Sequence, residues 1–412
     1  MRRVAFASPG DKAPIGRAFR LSRPIALLLG LSLVIAVPHP AVALSWHPIR
    51  PITSDEQGFA WPGSTVAFSG GVAVAYREVV GGEFGVYVRR SADGGTTWTT
   101  PTLLSAVGTR GSRPSMAASG NQLNAVFTQS TDGGLTARVI YRRSLNGGAT
   151  WSAPITLSPA GLEVGFPSVA HSRGKVVVAW TNAMTGRVGV RTSDDGGMTF
   201  NPRSDIATST NRPFLPGDDK IDAWATVAIA DGAINLAYYT DPNTLKLRRS
   251  GNNGASWTPA VALARNADGN QPSIARSGTR LLIGYAVELE GGADSYAAFR
   301  FSDNRGASWR PPTALSGAAA PPSYRPVISY SNARWHAAFE RCLTHDCVRS
   351  EIYYRQATLG APSWTTASRA TRGPGIEQSP AGITRDAGKL MIVFVSKEDD
   401  SGESDVLVRQ RY

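Results

Sequence analysis

Apolar residues in this chain fall in short alternating runs. The pattern is clearest in one stretch: residues 114–118 form a short run, 123–128 alternate, 138–143 form a third run and 151–157 a fourth. Runs of this length, bounded by Gly, Asn and Ser, predict β-strands. The same order returns over 167–170, 176–180 and 188–192, and again over 272–275, 281–285 and 297–301. The second run of each unit contains an aromatic at a matching place: Tyr76, Phe127, Trp180, Tyr238, Tyr285, Phe339 and Phe394. A second aromatic series, Trp46, Trp98, Trp151, Phe200, Trp257, Trp309 and Trp364, advances in steps of 52, 53, 49, 57, 52 and 55 residues. A unit of that size cannot bury its own apolar face, so the period predicts units stacked on one another.

Five aromatics of the second series close a turn motif. It runs from Ser91 through Asp93 and Gly95 to Trp98, and again from Ser144 to Trp151, Ser193 to Phe200, Ser250 to Trp257 and Ser302 to Trp309. A sixth copy, from Gln356 to Trp364, is degenerate and one residue longer. Asp or Asn at the third position hydrogen-bonds amides further along the turn, Gly at the fifth takes positive φ, and the aromatic folds over the turn. Three of the five copies have Asn at the third position, so these side chains are not a set of acid/base carboxylates.

The pattern S-x-[DN]-x-G-x-[ST]-[WF] resembles the Asp box, or BNR repeat, of sialidase-like β-propellers. The resemblance covers nearly all of the chain from Leu44 and implies an all-β ring of four-stranded antiparallel blades. The seven second-strand aromatics count seven blades, with the six-bladed sialidase fold as the alternative. The last unit stops at Tyr412 with three strands. The segment 45–53 has the look of a fourth strand, like 256–263 and 308–315, so the N-terminal strand is expected to close the seventh blade and remove two open edges.

The first 43 residues read as a signal peptide. Six basic residues and one acid precede or flank an apolar run over 25–37, followed by Ala41-Val42-Ala43. Residues 44–412 then make a single propeller domain of a secreted, extracellular or periplasmic protein, with no transmembrane segment in the mature chain. The leader accounts for five of the twelve net positive charges, leaving about +7. That charge has no clustered basic stretch, so a nucleic-acid partner is not expected. The pairs Arg89-Arg90, Arg142-Arg143 and Arg248-Arg249 read as solvated outer strands. Cys342 and Cys347, the only cysteines, are expected to form a local disulfide in an oxidising compartment. No cofactor and no metal site are expected.

In the resembling architecture the boxes lie on one face, and the loops that converge on the central depression lie on the other. Candidate ligand-binding residues on that second face are Arg77, Glu78, Arg113, Asp218, Asp219, Asp222, Arg325, Glu340 and Arg341. Arginines beside carboxylates suit bidentate pairing with an acidic group. Two functions follow. The first is a monomeric binding propeller for a glycan or protein ligand. The second is an exo-α-sialidase-like glycosidase, which the resemblance implies uses three arginines, a tyrosine with a glutamate, and an aspartate. The resembling enzymes have an Arg-Ile-Pro motif entering an innermost strand. Here the matching places read Ser112-Arg113-Pro114 and Tyr324-Arg325-Pro326, so the catalytic residues stay unassigned.

Overall fold

The computed structural model describes residues 46–53, 61–80, 83–132, 136–159, 165–182, 187–208, 225–240, 244–267, 272–289, 295–317, 321–344, 347–360, 362–372, 377–397 and 404–412. The expected signal segment lies outside them. Every regular element among these residues is a strand, and the strands form seven four-stranded antiparallel sheets. Blade 2 shows the plan: strand a is Arg110–Ser119, strand b Gln122–Ser130, strand c Arg138–Ser144 and strand d Ile155–Thr156. Numbered along the chain, each a strand packs on the a strands of the blades before and after it, and the last packs on the first. The ring therefore closes with seven blades, not six.

Blade 7 is closed as the sequence predicts. Its strands Glu377–Asp386, Lys389–Lys397 and Ser404–Arg411 are completed by Arg50–Pro51, whose residues pair with Val408 and Leu407. Trp46 bridges Arg411, and the Ile52 amide donates to the Val406 carbonyl at 2.8 Å. The Thr53 hydroxyl donates to Asp405 at 2.9 Å.

Each b strand is covered on both sides because blades are stacked face to face. Val72, Val74 and Tyr76 of blade 1 pack on Met391, Val393 and Val395 of blade 7, while Ala73 and Ala75 pack on Met116, Ala125 and Phe127 of blade 2. All seven b-strand aromatics are buried. The d strands are shorter than the sequence pattern suggests. In blades 1 and 2 they cover only Thr102–Leu103 and Ile155–Thr156, each beginning just after a proline, Pro101 or Pro154. Proline has no N–H to give the ladder, so pairing starts beyond it.

The five boxes share one bonding scheme. The first serine hydroxyl accepts the amide of the fifth residue at 2.7–3.0 Å and donates to the Asp or Asn oxygen. Positive φ occurs at the fourth residue as well as the fifth, which suits the Gly of three boxes, and Asn253 and Arg305 take the same left-handed conformation in the other two.

The paired arginines are ties between blades, not solvated side chains. The residue just before each box points forward: Arg90, Arg143 and Arg249 donate to the carbonyls of Gly147, Gly196 and Arg305, the fourth residue of the next blade's box. Gln410 does the same for Gly94 across the ring closure. The preceding arginine belongs to a column through all seven blades, Arg89, Arg142, Arg191, Arg248, Arg300, Arg355 and Arg409, at one register position of strand c. Arg142 donates to Ser152 O of its own blade and to Leu104 O of the blade before it, and Arg355 repeats this with Thr365 O and Leu315 O. Burial lowers the pKa of both guanidinium groups.

Candidate functional site

The boxes and the a–b turns share one face, so the opposite face holds the b–c turns and the d-to-a connectors. Arg77, Glu78, Glu340 and Arg341 sit where b strands reach that face, and Arg113 and Arg325 near where a strands leave it. Asp218, Asp219 and Asp222 lie outside the described residues. Side chains alternate along a b strand, so neighbouring candidates separate: Arg77 and Glu340 turn toward the following blade, Glu78 and Arg341 the other way.

Two polar nodes result. At the seam between blades 6 and 7, Arg325 Nη1 pairs with Glu340 Oε2 at 3.2 Å. The Ser379 hydroxyl, from the a strand of blade 7, donates to the same carboxylate oxygen at 3.0 Å and accepts from Arg325 Nη1. The Glu340 side chain is only 4% exposed, whereas Arg325 is 43% exposed and keeps part of its guanidinium toward solvent. A carboxylate buried this deeply needs such partners, so Glu340 fixes the arginine rather than offering itself to a ligand.

At the seam between blades 1 and 2, the Arg77 and Arg110 guanidinium groups lie 4.3 and 4.4 Å from the centroid of the same ring, Phe84. Arg113 lies over Phe166 at 4.5 Å. Burial, then the charges of Arg110 and Arg113, push Arg77 down to about 10, so it stays charged at neutral pH. Two cations whose charges act on a third make a positive potential that favours an anion.

Both nodes contain backbone strain. Arg113 and Arg325 have φ of 54° and 47°, each before a proline and each inside an a-strand bulge, between Ser112 and Ser115 and between Tyr324 and Val327. Non-glycine residues in this region cost on the order of 1–3 kcal/mol each, held where the surroundings fix them. In the sequence these two positions are degenerate versions of a tripeptide; in the fold they are matched bulges that swing an arginine to the next blade. The neighbouring bulge of blade 1 leaves no room at Gly63, where a Cβ would sit 2.4 Å from Pro114.

The remaining candidates have other surroundings. Glu78 is buried, with its charge acting on Tyr76 and Tyr87, and burial together with that charge raises both phenol pKa values. Tyr76 has no exposed surface, so this tyrosine–glutamate neighbourhood is closed to a substrate. Arg341 stacks on Tyr353 at 5.0 Å. Cys342 and Cys347 form the expected disulfide, next to Arg341 in the b–c turn of blade 6. Among the described residues, no three His, Cys, Asp or Glu side chains gather as a metal site, and no helix is long and apolar enough to cross a membrane.

Sequence reasoning missed one element of this face. The b–c turn of blade 2 has Ser130, Asp132 and Thr136 in the box spacing. Ser130 Oγ donates to Asp132 Oδ1 at 2.6 Å, the Thr136 amide to Oδ1 at 2.9 Å and its hydroxyl to Oδ2 at 2.5 Å. Asp195 is held in its box by the same set of bonds. The signal is present as Ser130-Thr-Asp-Gly-Gly-Leu-Thr136, but Ala137 stands where the closing aromatic of the motif would be.

No protein-family model matches this chain, and no curated protein matches it in sequence. Solved structures do. A Dyadobacter fermentans protein of unknown function superposes with a TM-score of 0.52 at 14% identity, over 74% of this chain and 95% of its own. A leech intramolecular trans-sialidase, solved with 2,7-anhydro-Neu5Ac, gives 0.50 at 12% identity, over 74% of this chain and 68% of its own. The likeness is one of fold: this chain is a sialidase-like β-propeller with seven blades.

Proposed function

We propose that this protein is a secreted binding propeller that holds an acidic glycan on the face opposite its boxes. The observation that carries the reading is the run of arginines on phenylalanine rings along this face, Arg77 and Arg110 on Phe84 at the seam of blades 1 and 2 and Arg113 on Phe166 at the seam of blades 2 and 3. Guanidinium groups held on aromatic faces are positioned before a ligand arrives, so little side-chain entropy is lost on pairing with a carboxylate. Phe84 and Phe166 add apolar surface of the kind that sugar rings cover. Arg325, oriented by Glu340 and Ser379, gives a second anchored cation on the same face. The apolar run before residue 44 and the Cys342–Cys347 disulfide support export to an oxidising compartment.

The test is a panel of sialylated, uronate-containing and neutral oligosaccharides. Acidic members are expected to bind, with affinity falling as salt rises and lost in Arg77→Ala and Arg110→Ala proteins that keep the wild-type melting temperature. Equal binding of neutral sugars, or binding indifferent to both substitutions, overturns the proposal. A fluorogenic sialoside is expected to stay uncleaved, since the described tyrosine beside Glu78 is sealed in the core; turnover would favour the glycosidase reading.

A further inference from the structure

On the box face, the first residue of a b strand can tie its blade to the next. Lys389 of blade 7 donates to Asp93 O at 3.0 Å and to Thr96 Oγ1 at 2.8 Å, both in the box of blade 1. Gln122 of blade 2 donates to Gly196 O at 2.6 Å in the box of blade 3. Between these two seams, the same register position in blade 1 is Gly71. Its φ is 139° and a Cβ there would sit 2.0 Å from Ser91 O, so the backbone admits no side chain. Its cross-strand partner also departs from the repeat: Phe68 stands where blades 2, 3, 5 and 6 have Ser119, Ser172, Ser277 and Ser331.

The seam of blades 1 and 2 is therefore left with a cavity of about 350 Å³, whose lining includes Phe68, Arg90, Ala92, Asn121 and Asn146. That volume lies at the lower end for small-molecule sites. One wall is aromatic, because Phe68 packs on the core shared by the two blades and a Cβ at Gly147 would sit 2.6 Å from its ring. The rest has hydrogen-bonding capacity to spare. Asn121 is exposed, and its side-chain amide makes no hydrogen bond among the described residues. Arg90 Nη1 makes one long bond of 3.5 Å to Gly147 O, whereas the equivalent Gly196 O receives both Gln122 and Arg143. Asn146 Nδ2 donates to Thr150 Oγ1 at 2.9 Å and has a second N–H. None of the lining residues is an acid.

We propose that this cavity is a second binding site, for a single neutral pyranose ring, on the face opposite the arginine run. Phe68 offers an aromatic surface to the C–H face of the sugar. Adjacent hydroxyls need both donors and acceptors: Asn121 supplies both, and Arg90 and Asn146 add donors. The ligand has no charge to pair, so binding here is indifferent to salt and weaker than that of an acidic glycan at the arginines.

Saturation-transfer NMR on the full protein with methyl β-galactoside, methyl β-glucoside and methyl α-mannoside tests the site. At least one is expected to receive saturation at its ring protons, in wild type and in Arg77→Ala alike and at low and high salt. Ala92→Trp fills the cavity from a box position that holds Leu145, Asp194, Gly251 and Asp303 in the other copies, so the turn tolerates change there. It is expected to abolish the transfer. Asn121→Ala, at an exposed position, is expected to weaken binding about tenfold. Both variants are expected to melt with wild type; if Ala92→Trp does not, Asn121→Ala decides alone. No transfer to any of the three glycosides in wild type overturns the inference, as does binding undiminished in Asn121→Ala or in a folded Ala92→Trp. Either result leaves the acidic-glycan reading standing, since that site is on the other face. Transfer lost in Arg77→Ala also overturns the inference, by moving the sugar to the arginines.

Discussion

His336 shows how much one buried side chain controls here. It lies on the b strand of blade 6, its Nδ1 2.8 Å from the Tyr354 hydroxyl and its Nε2 3.2 Å from the Ser331 carbonyl, with no exposed surface. Burial pushes its pKa down from 6.5 to about 4, and the Arg385 and Arg334 charges act in the same direction. Above pH 6.5 neither the folded nor the unfolded chain protonates this ring, so it adds no pH dependence. Between 6.5 and 4 the unfolded chain takes up a proton that the folded one refuses, and stability falls as pH falls, by about 3 kcal/mol at most. Melting temperature measured from pH 7 to pH 4 should drop less steeply in His336→Gln than in wild type; parallel curves would show that the ring is not the sensitive group. The boxes are expected to ignore this range, because Asp195 is kept well below the usual carboxylate range by the Thr199 hydroxyl and amide and by Ser193. Exchanging Asp195 for Asn should leave the melting temperature within about a degree, as the natural Asn boxes imply.

Strands are joined to strands by hydrogen bonds in every β protein; here blades are joined to blades by arginine. Arg142 spans two blades with bonds of 2.8 and 2.9 Å to two carbonyls, so Arg142→Ala leaves both partly buried acceptors short of a donor. The expected cost is about 2–3 kcal/mol. Arg142→Lys should recover little of it, since a single ammonium at the end of a flexible stem does not reach both carbonyls in fixed geometry. Thermal unfolding of the two variants decides this, and a lysine variant as stable as wild type would reduce the tie to simple charge. The arginine column was in the sequence all along, two positions before each box or its equivalent. What alternation along a strand does not reveal is the partner, because the accepting carbonyl belongs to another blade some 40 to 60 residues away, as with Leu104 for Arg142 and Gly147 for Arg90. The d strands misled for a related reason: their apolar pattern runs through the prolines that stop the ladder.

At the scale of the ring, what repeats was legible and what breaks the repeat was not. The seven aromatics and the stray Trp46 gave blade number and closure, because packing enforces them at every unit. The two polar nodes depend on single departures: bulges at Arg113 and Arg325, a lone Glu340, a box moved to the wrong turn, none of which any periodicity announces. Closure itself makes the strongest claim on the whole molecule. Residues 46–53 contribute only two ladder residues, yet Ile52 is completely buried against Val406 and Val408, and Trp46 packs edge-on to Tyr354 at 5.5 Å. Removing them uncovers those valines and bares the edge of Ser404–Arg411, the last strand of a blade that touches both ends of the ring. Two large side chains lost from a packed seam correspond to about 3–5 kcal/mol. The loss should not stay local, because blade 7 holds the first box through Gln410 and Lys389, and blade 1 in turn carries Arg77 and Phe84. A chain starting at residue 54 of the numbering used here should therefore melt at lower temperature and self-associate through the open edge in sedimentation. It should also bind acidic oligosaccharides more weakly than wild type even below its melting point. Unchanged melting together with a monomeric profile would mean that the ring is held by its seams alone and that the closing strand is ornamental to its stability.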